Sequence, residues 1–388
     1  MSEFLIDLAR ALVRTPSVNP SLDAEGAGEG AVAALLADVL RGVGCEVELV
    51  EPEPGRPSVL AVLRGRHGRG NGGSRAPSLM LNGHIDTVDV ANMDDPFSGD
   101  VSEGRLHGRG AYDMKGAVAA CVAALREVAL AGGGEGDLWL SAVADEEVAS
   151  LGSHAVIDRL RELGELPDAA IVTEPTSLQV CVAHKGFVWS RVRTRGRAAH
   201  GSRPDLGIDA NLRMARLLAH VEPRLSQDDA ASGVHPLLGR ASFHVGELNG
   251  GTGPSSYAED CTATIERRTL PGQDHAAWKA RLAELVTGAD VDEAGGATTI
   301  EHVLERPAFE IDRDHPLVGR LVSAAGTALG RAPSIVGASY WMDTALFAAA
   351  GIPTVVIGPH GDGAHAAEEW VDLGSLDALA RILARLAG

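Results

Sequence analysis

Short apolar runs of strand type alternate with helical segments in the first half of the chain, and the pattern returns near its end. Residues 31–41 and 114–130 have the apolar spacing of helices. The strand-type runs lie at 47–50, 59–63, 78–81, 137–143, 169–173 and 354–357. Strands that alternate with helices favour an α/β domain with a largely parallel sheet.

The pattern changes between about residue 184 and residue 305. In order along the chain, this part has a strand, a helix, two strands and a helix, at 187–195, 208–220, 241–248, 261–269 and 275–287. This order is typical of a small α+β domain with one covered sheet. A chain of 388 residues with 45% hydrophobic content also exceeds the usual size of a single core. We therefore predict a first domain formed by residues 1–183 and 306–388, with residues 184–305 inserted into it.

The charge of the chain excludes some classes of partner. A formal net charge of -19 would repel nucleic acid and anionic membrane surfaces, and no basic stripe offsets it. The first residues lack the basic start of a signal peptide, and the longest apolar run, 117–125, is far shorter than the roughly 18 residues of a membrane span. Four scattered cysteines fit a reducing compartment. We expect a soluble, cytoplasmic protein that binds neither nucleic acid nor membranes.

Side chains that bind metals follow several of the strand-type runs. These are His84 after 78–81, Glu146 and Glu147 after 138–143, Glu174 after 169–173, and His365 after 354–357 and a glycine-rich loop. In an open α/β sheet, ligands collect at the carboxyl ends of the strands. Carboxylates and imidazoles are ligands of zinc. The placement therefore predicts one metal site at this edge of the sheet.

Two further aspartates belong to the same prediction. Asp86 lies two residues after His84, so both side chains share one side of the strand, and Asp86 is expected to accept the second imidazole N–H of His84. Asp113 directly precedes a predicted helix, where the alternative role is that of an N-cap. The acids at 145–147 could likewise form a charged loop or a helix N-terminus. Two histidines and four acids at such positions favour a shared metal site over separate structural roles.

Seven motifs relate the chain to a known family. They are His84-Ile-Asp-Thr-Val, Gly108-Arg-Gly-Ala-Tyr-Asp-Met-Lys-Gly, Asp145-Glu-Glu, Thr173-Glu-Pro-Thr, Ala199-His-Gly-Ser-Arg-Pro, Arg267-Arg-Thr-Leu-Pro-Gly and Gly363-Ala-His-Ala-Ala-Glu-Glu. In their order and spacing the chain resembles the acetylornithine deacetylase and succinyl-diaminopimelate desuccinylase family, which includes aminoacylases and glutamate carboxypeptidases that use two zinc ions. The resemblance implies a zinc-peptidase-like catalytic domain and an inserted ferredoxin-like lid or dimerisation domain, through which a homodimer would form.

The resemblance also implies roles for the ligands. Asp113 would bridge two Zn²⁺ ions, for which Co²⁺ or Mn²⁺ could substitute. His84 and Glu174 would complete one metal site, and Glu147 and His365 the other. Glu146 would stay free of metal. Because zinc lowers the pKa of bound water toward about 7, Glu146 is expected to act as the general base when hydroxide attacks, and then to protonate the leaving amine.

Three residues of the inserted domain receive roles from the same resemblance. His200 would stabilise the tetrahedral intermediate, often from a partner subunit, although a histidine there is by default a surface or packing residue. Arg268 would bind the substrate's α-carboxylate, and its alternative is a salt bridge with Glu266. Asn249 would belong to a lid loop, and its alternative is a glycine turn. In the first domain, Asp343 could meet a basic substrate side chain or make a structural hydrogen bond.

The function expected from this site is metal-dependent hydrolysis of the amide bond of an N-acyl amino acid, with deacetylation of an ornithine-like substrate as one case. A metallocarboxypeptidase or dipeptidase would use the same chemistry on a peptide bond beside a free carboxylate, so the sequence leaves it as an alternative. A catalytically silent binding paralogue is a third hypothesis. No predicted ligand or base is missing, which disfavours that third hypothesis.

Overall fold

The computed structural model describes residues 2–68, 75–90, 92–289 and 298–388. The chain forms two compact units. The first consists of Met1–Val182, Ile311–Val336 and Met342–Gly388, and the second of Ala183–Glu310 and Gly337–Trp341. The second unit therefore begins one residue before the predicted boundary and ends five residues after it. Its short additional segment, Gly337–Trp341, has no counterpart in the domain boundaries predicted from the sequence.

Helices and strands alternate along most of the described chain. The helices are α1 Glu3–Arg14, α2 Gly30–Val43, α3 Gly116–Leu130, α4 Leu151–Leu163, α5 Ala210–Ala231, α6 His275–Gly288, α7 Pro316–Leu329, α8 Thr344–Ala349 and α9 Leu373–Ala387. The strands are β1 Glu46–Val50, β2 Ser58–Leu63, β3 Leu79–His84, β4 Val101–Ser102, β5 Arg105–His107, β6 Leu138–Val143, β7 Ala169–Val172, β8 Val180–His184, β9 Gly186–Arg195, β10 Ser242–Gly250, β11 Asp260–Thr269, β12 Thr299–Arg306, β13 Phe309–Glu310, β14 Ile335–Ala338, β15 Thr354–Val356, β16 Gly361–Asp362 and β17 Trp370–Asp372.

The main sheet of the first unit is mixed. Its strand order is β1-β2-β6-β3-β7-β15-β8. The central strands β6, β3, β7 and β15 run parallel, whereas β1, β2 and β8 pair antiparallel with their neighbours. The predicted parallel arrangement thus holds for the centre of the sheet. Strands β3 and β6 are buried along their whole length, which is why they read as continuous apolar runs without alternation.

The core of the first unit holds these strand ends in place. Helix α3 contacts α1, α9 and β3, and ten of its residues are buried. Most of these ten are alanine, valine or glycine, which lets the helix approach its neighbours closely. A smaller sheet of order β16-β17-β5-β4 lies in the same unit. Its pairing of β17 with β5 brings the chain after residue 360 beside the chain before Asp113.

The second unit is built on a four-stranded antiparallel sheet of order β10-β11-β9-β12. Burial alternates along β11, and its buried Ala263 and Ile265 pack with residues of α5 and α6, such as Leu217 and Leu282. Both helices therefore cover one face of the sheet, as predicted from the sequence. Strand β12 was not predicted. Among the described residues, no helix is long and apolar enough to cross a membrane.

Candidate metal centre

The main sheet places three groups of predicted site residues at strand ends. His84 is the last residue of β3, Glu146 and Glu147 follow β6 by three and four positions, and Glu174 follows β7. Because β3, β6 and β7 are parallel neighbours, these ends lie at the same edge of the sheet. The remaining two come from irregular segments, Asp113 between β5 and α3 and His365 between β16 and β17.

All six side chains converge in the first unit. Ligand atoms of His84, Asp113 and Glu147 lie within 4.8 Å of one another, and so do those of His84, Glu146 and Glu174. His84 Nε2 is 3.0 Å from Asp113 Oδ1 and 3.8 Å from Glu174 Oε1. His365 Nε2 is 3.4 Å from Asp113 Oδ2 and 3.2 Å from Glu147 Oε2. The two oxygens of Asp113 thus face different histidines, which is the arrangement of a carboxylate shared between two sites.

The electrostatics of this cluster are dominated by buried acids. Burial raises the pKa of Glu146 well above its usual range, and the neighbouring Glu174 raises it further. Burial raises the pKa of Glu174 in the same way, together with the charge of Asp113. Hydrogen bonds to Asp113 and Glu147 raise the pKa of His365 to about 10. The acids therefore stabilise positive charge among them, and their oxygens together with two imidazoles form a donor set that suits divalent metal ions such as zinc.

Asp86 supports both the histidine and the glutamates. Its buried carboxylate accepts hydrogen bonds from the backbone N–H groups of Glu146, at 3.1 Å, and of Glu147, at 3.3 Å. His84 Nδ1 lies 3.0 Å from the backbone carbonyl oxygen of Asp86 but 3.6 Å from its carboxylate. The nearer partner of the imidazole is thus the carbonyl group, where the sequence predicted the carboxylate. The carboxylate still interacts with the imidazole, and it also holds the loop that carries both glutamates.

A buried polar network behind Asp86 was missed by the sequence reasoning. Asn19 Nδ2 donates to the carboxylates of Asp86, at 2.8 Å, and of Asp145, at 3.0 Å. Arg56 donates to Asp145 at 2.9 Å and holds Glu29 through two hydrogen bonds of 2.6 and 2.7 Å. The residues behind Asp86 come from separate segments, and only Asp145 among them lies in one of the family motifs. Asp145, with φ of 65°, also has the left-handed backbone that turns the chain after β6.

Glu369 joins the two irregular segments of the centre. Its carboxylate accepts hydrogen bonds from the backbone N–H groups of Gly110, Tyr112 and Asp113, at 2.9 to 3.1 Å. It also accepts from Arg109 Nη1 at 2.7 Å, and Arg109 Nη2 donates to the carbonyl group of Ala366 at 3.0 Å. One buried ion pair therefore ties the loop of Asp113 to the loop of His365. Arg109 and Glu369 lie in two of the family motifs, but the sequence analysis assigned them no role.

The other predicted residues lie in the second unit, except for Asp343. His200 lies exposed in the second unit, where its Nδ1 is 2.8 Å from Ser202 Oγ. Asn249 lies on the exposed strand β10. Arg268 makes an ion pair of 2.9 Å with Glu266, which was its predicted alternative. In the first unit Asp343 is buried and accepts a hydrogen bond of 2.5 Å from Ser153, which is the structural role foreseen for it.

Comparison with known proteins places this geometry in context. Residues 80–388 match the sequence profile of peptidase family M20/M25/M40. An acetylornithine deacetylase of Photorhabdus laumondii subsp. laumondii is 30% identical to the chain, over 98% of this chain and 96% of that protein. The M20 family metallo-carboxypeptidase Sso-CP2 of Sulfolobus solfataricus has a similar structure, with a TM-score of 0.80, 18% identity and coverage of 100% of this chain and 99% of that one.

A second similar solved structure is that of a metal-binding protein. The YxeP protein of Bacillus subtilis, described as a dinuclear metal binding peptidase of the M20 family, matches with a TM-score of 0.69 and 16% identity. The match covers 99% of this chain and 96% of that one. The similarities therefore extend over almost the whole chain.

Proposed function

Because the chain belongs to peptidase family M20/M25/M40, we propose that it hydrolyses the amide bond of an N-acyl amino acid at a centre of two zinc ions. The family resemblance predicted from the motifs and the assignment to amide-bond hydrolases are confirmed by the comparisons. The observation that carries the proposal is the convergence of the five proposed ligands around Asp113, whose two oxygens lie 3.0 Å from His84 and 3.4 Å from His365.

The contacts of Asp113 support one assignment of the ligands. Asp113 would bridge the two ions, with His84 and Glu174 completing one site and Glu147 and His365 the other, since its two oxygens face the two histidines. Cobalt or manganese could replace zinc. When bound, the ions would polarise the scissile carbonyl group and lower the pKa of water toward about 7.

Glu146 is the general base in this proposal. Its carboxyl group is buried beside Glu174, and the raised pKa that results suits a group that takes a proton from water and returns it to the leaving amine. The hydrogen bond from its backbone N–H to Asp86 keeps the residue in place. Glu146 also has an oxygen within 4.8 Å of ligand atoms of His84 and Glu174, so the geometry alone would admit it as a ligand.

The substitution Glu146→Gln separates these two roles, with Glu147→Gln as the matched comparison. For a general base, E146Q should keep both metal ions while kcat falls about 10²- to 10⁴-fold. E147Q should lose metal, because Glu147 is a proposed ligand. Metal content is measured by elemental analysis of the purified proteins. Loss of metal in E146Q would reassign that residue to the ligands.

The substrate class is tested with a panel of N-acetyl, N-succinyl and N-formyl amino acids together with dipeptides. Preferential hydrolysis of the N-acyl amino acids supports the proposal. The similarity to a metallo-carboxypeptidase makes a carboxypeptidase or dipeptidase the second candidate. Faster cleavage of the dipeptides than of every N-acyl amino acid would favour that candidate.

The second unit supplies the proposed substrate contacts. Arg268 would bind the α-carboxylate with the guanidinium N–H groups not used by Glu266, Asn249 would belong to the lid loop, and His200 would stabilise the tetrahedral intermediate. A homodimer formed through this unit remains part of the proposal. His200→Ala should therefore lower kcat with little change in substrate affinity, and sedimentation of the protein measures the dimer. The four free, buried cysteines fit the proposed cytoplasmic location.

A further inference from the structure

The sheet face of the second unit that carries Arg268 also carries aromatic rings. Along β11, Arg268 and Glu266 alternate with residues buried under the helices, so they lie on the opposite face of the sheet. The register places Phe187 of β9 directly opposite Arg268, and Trp189 opposite Glu266. The proposed carboxylate-binding arginine thus has aromatic neighbours on its own face.

These rings form one cluster, which we call the aromatic face, of Phe187, Trp189 and Trp341. The Phe187 ring centre is 5.2 Å from that of Trp189 and 6.2 Å from that of Trp341, and the Arg268 guanidinium carbon lies 5.3 Å from the Phe187 ring centre. Aromatic residues make up only 4% of the chain. Trp189 is 38% exposed, so the cluster reaches the surface. Phe187 is buried and Trp341 half-buried, so one partly exposed ring is backed by two others, which suits contact with an apolar group.

The charges on this face disfavour a cationic ligand. Glu266, the acid next to Arg268, is already engaged, because Trp189 Nε1 donates to it at 3.0 Å and Arg268 pairs with it at 2.9 Å. His244 lies 3.5 Å from its other oxygen. Arg306 adds a second guanidinium group, 5.5 Å from the centre of the Trp341 ring. Ring faces attract cations, but guanidinium groups already lie over the rings of Phe187 and Trp341. A substrate ammonium group here would meet these positive charges and an acid that is already paired.

We infer that the aromatic face selects N-acyl amino acids whose side chain is apolar, and preferably aromatic. The inference rests on the proposed function, in which Arg268 holds the α-carboxylate. The carboxylate and the side chain of an amino acid are attached to the same carbon atom. A side chain beside a carboxylate bound at Arg268 therefore lies within reach of the Phe187 ring, 5.3 Å from that guanidinium carbon, and of the rings packed against it. Contact between rings favours an aromatic side chain, whereas the ammonium group of ornithine would be disfavoured.

The direct test is the substrate preference of the unmodified, metal-loaded protein. The measurement is kcat/KM for N-acetyl-L-phenylalanine, N-acetyl-L-ornithine and N-acetylglycine. We expect the phenylalanine substrate to exceed the ornithine substrate by about 10-fold or more. Equal values, or a preference for ornithine, would overturn the inference and leave the proposed function standing. No hydrolysis of any of the three, or of the wider panel, would overturn both.

Two substitutions locate the preference on the aromatic face. Trp341→Ala and Trp189→Ala should each raise KM for N-acetyl-L-phenylalanine about 5- to 10-fold with kcat nearly unchanged, because ring contacts are lost in ground state and transition state alike. Trp341→Phe should restore most of the loss. N-acetylglycine, which has no side chain, should respond little. Leu163→Ala, at an exposed apolar position of the first unit, is the matched control. An equal loss for glycine and phenylalanine substrates would contradict a role in selectivity.

Discussion

The substitution Glu369→Gln tests whether the ion pair with Arg109 holds the metal centre together. Glutamine has nearly the same shape but only one carbonyl oxygen, so it cannot accept all four hydrogen bonds that reach Glu369. Arg109 is buried and would lose its counter-charge. Leaving one partner of a buried ion pair uncompensated costs about 3–5 kcal/mol. We therefore expect the free energy of unfolding to fall by about that amount.

The same substitution should weaken metal binding, because the backbone N–H of Asp113 is one of the groups that Glu369 holds. Loss of a group that orients a ligand typically lowers metal affinity about 10- to 100-fold. Urea unfolding measures the stability, and competition with a chelator measures the metal affinity. Glu368→Gln, at the exposed neighbouring position, is the matched control. Equal behaviour of the two variants in both assays would refute the role assigned to Glu369.

Three further predictions concern the buried charges. Glu29→Gln should lower the free energy of unfolding by about 1–3 kcal/mol in urea, since Arg56 loses one buried carboxylate partner but keeps Asp145. Asp38→Asn, on the exposed face of α2, should have little effect. Burial raises the pKa of Asp343 from 3.8 to about 6. The native state therefore binds a proton at Asp343 more tightly than the unfolded state does. This binding stabilises the native state at low pH. The stabilisation, up to about 3 kcal/mol, is lost as the pH rises from about 4 to 6. Asp343→Asn should remove this part of the pH dependence in unfolding curves measured across that range, and an unchanged slope would contradict it. Removing metal with a chelator should lower the melting temperature, because the acids would then repel one another. Adding zinc at 100 times its dissociation constant should restore about 2.7 kcal/mol per site, and an unchanged melting temperature would count against the metal centre.

The strand-end pattern allowed much of the centre to be predicted from the sequence. His84 and Glu174 stand directly at the ends of parallel strands, where local apolar runs are visible and the geometry of the sheet brings the ends together. Asp113 and His365 come from irregular segments. The strand-type run 354–357 pointed to His365 only through a glycine-rich loop, and the bridging role of Asp113 came from the family resemblance. The position of Asp113 depends on backbone hydrogen bonds to a residue far away in the sequence, which no periodic pattern reveals.

The features that escaped prediction depend on long-range pairing. The antiparallel direction of the outer strands β1 and β2 depends on the path of the chain between strands, which their own residues do not fix. Strand β12 mixes charged and apolar residues, since much of it is exposed. The network of Asn19, Arg56 and Asp145 joins residues that are far apart in the sequence. Asn19 and Arg56 each read as an ordinary loop or surface position when taken alone.

The ion pair between Arg109 and Glu369 also bears on how the protein is made. The two residues are 260 positions apart in the chain, with the whole second unit between them. During synthesis the loop of Asp113 leaves the ribosome long before its partner does. At a synthesis rate of about 5–20 residues per second, the interval between the emergence of the two residues is on the order of tens of seconds. The second unit can fold in that interval from its own contacts, while the ligand loops become ordered only after residue 369 has emerged. A nascent chain stalled before that point should therefore hold a folded second unit and no ordered metal centre.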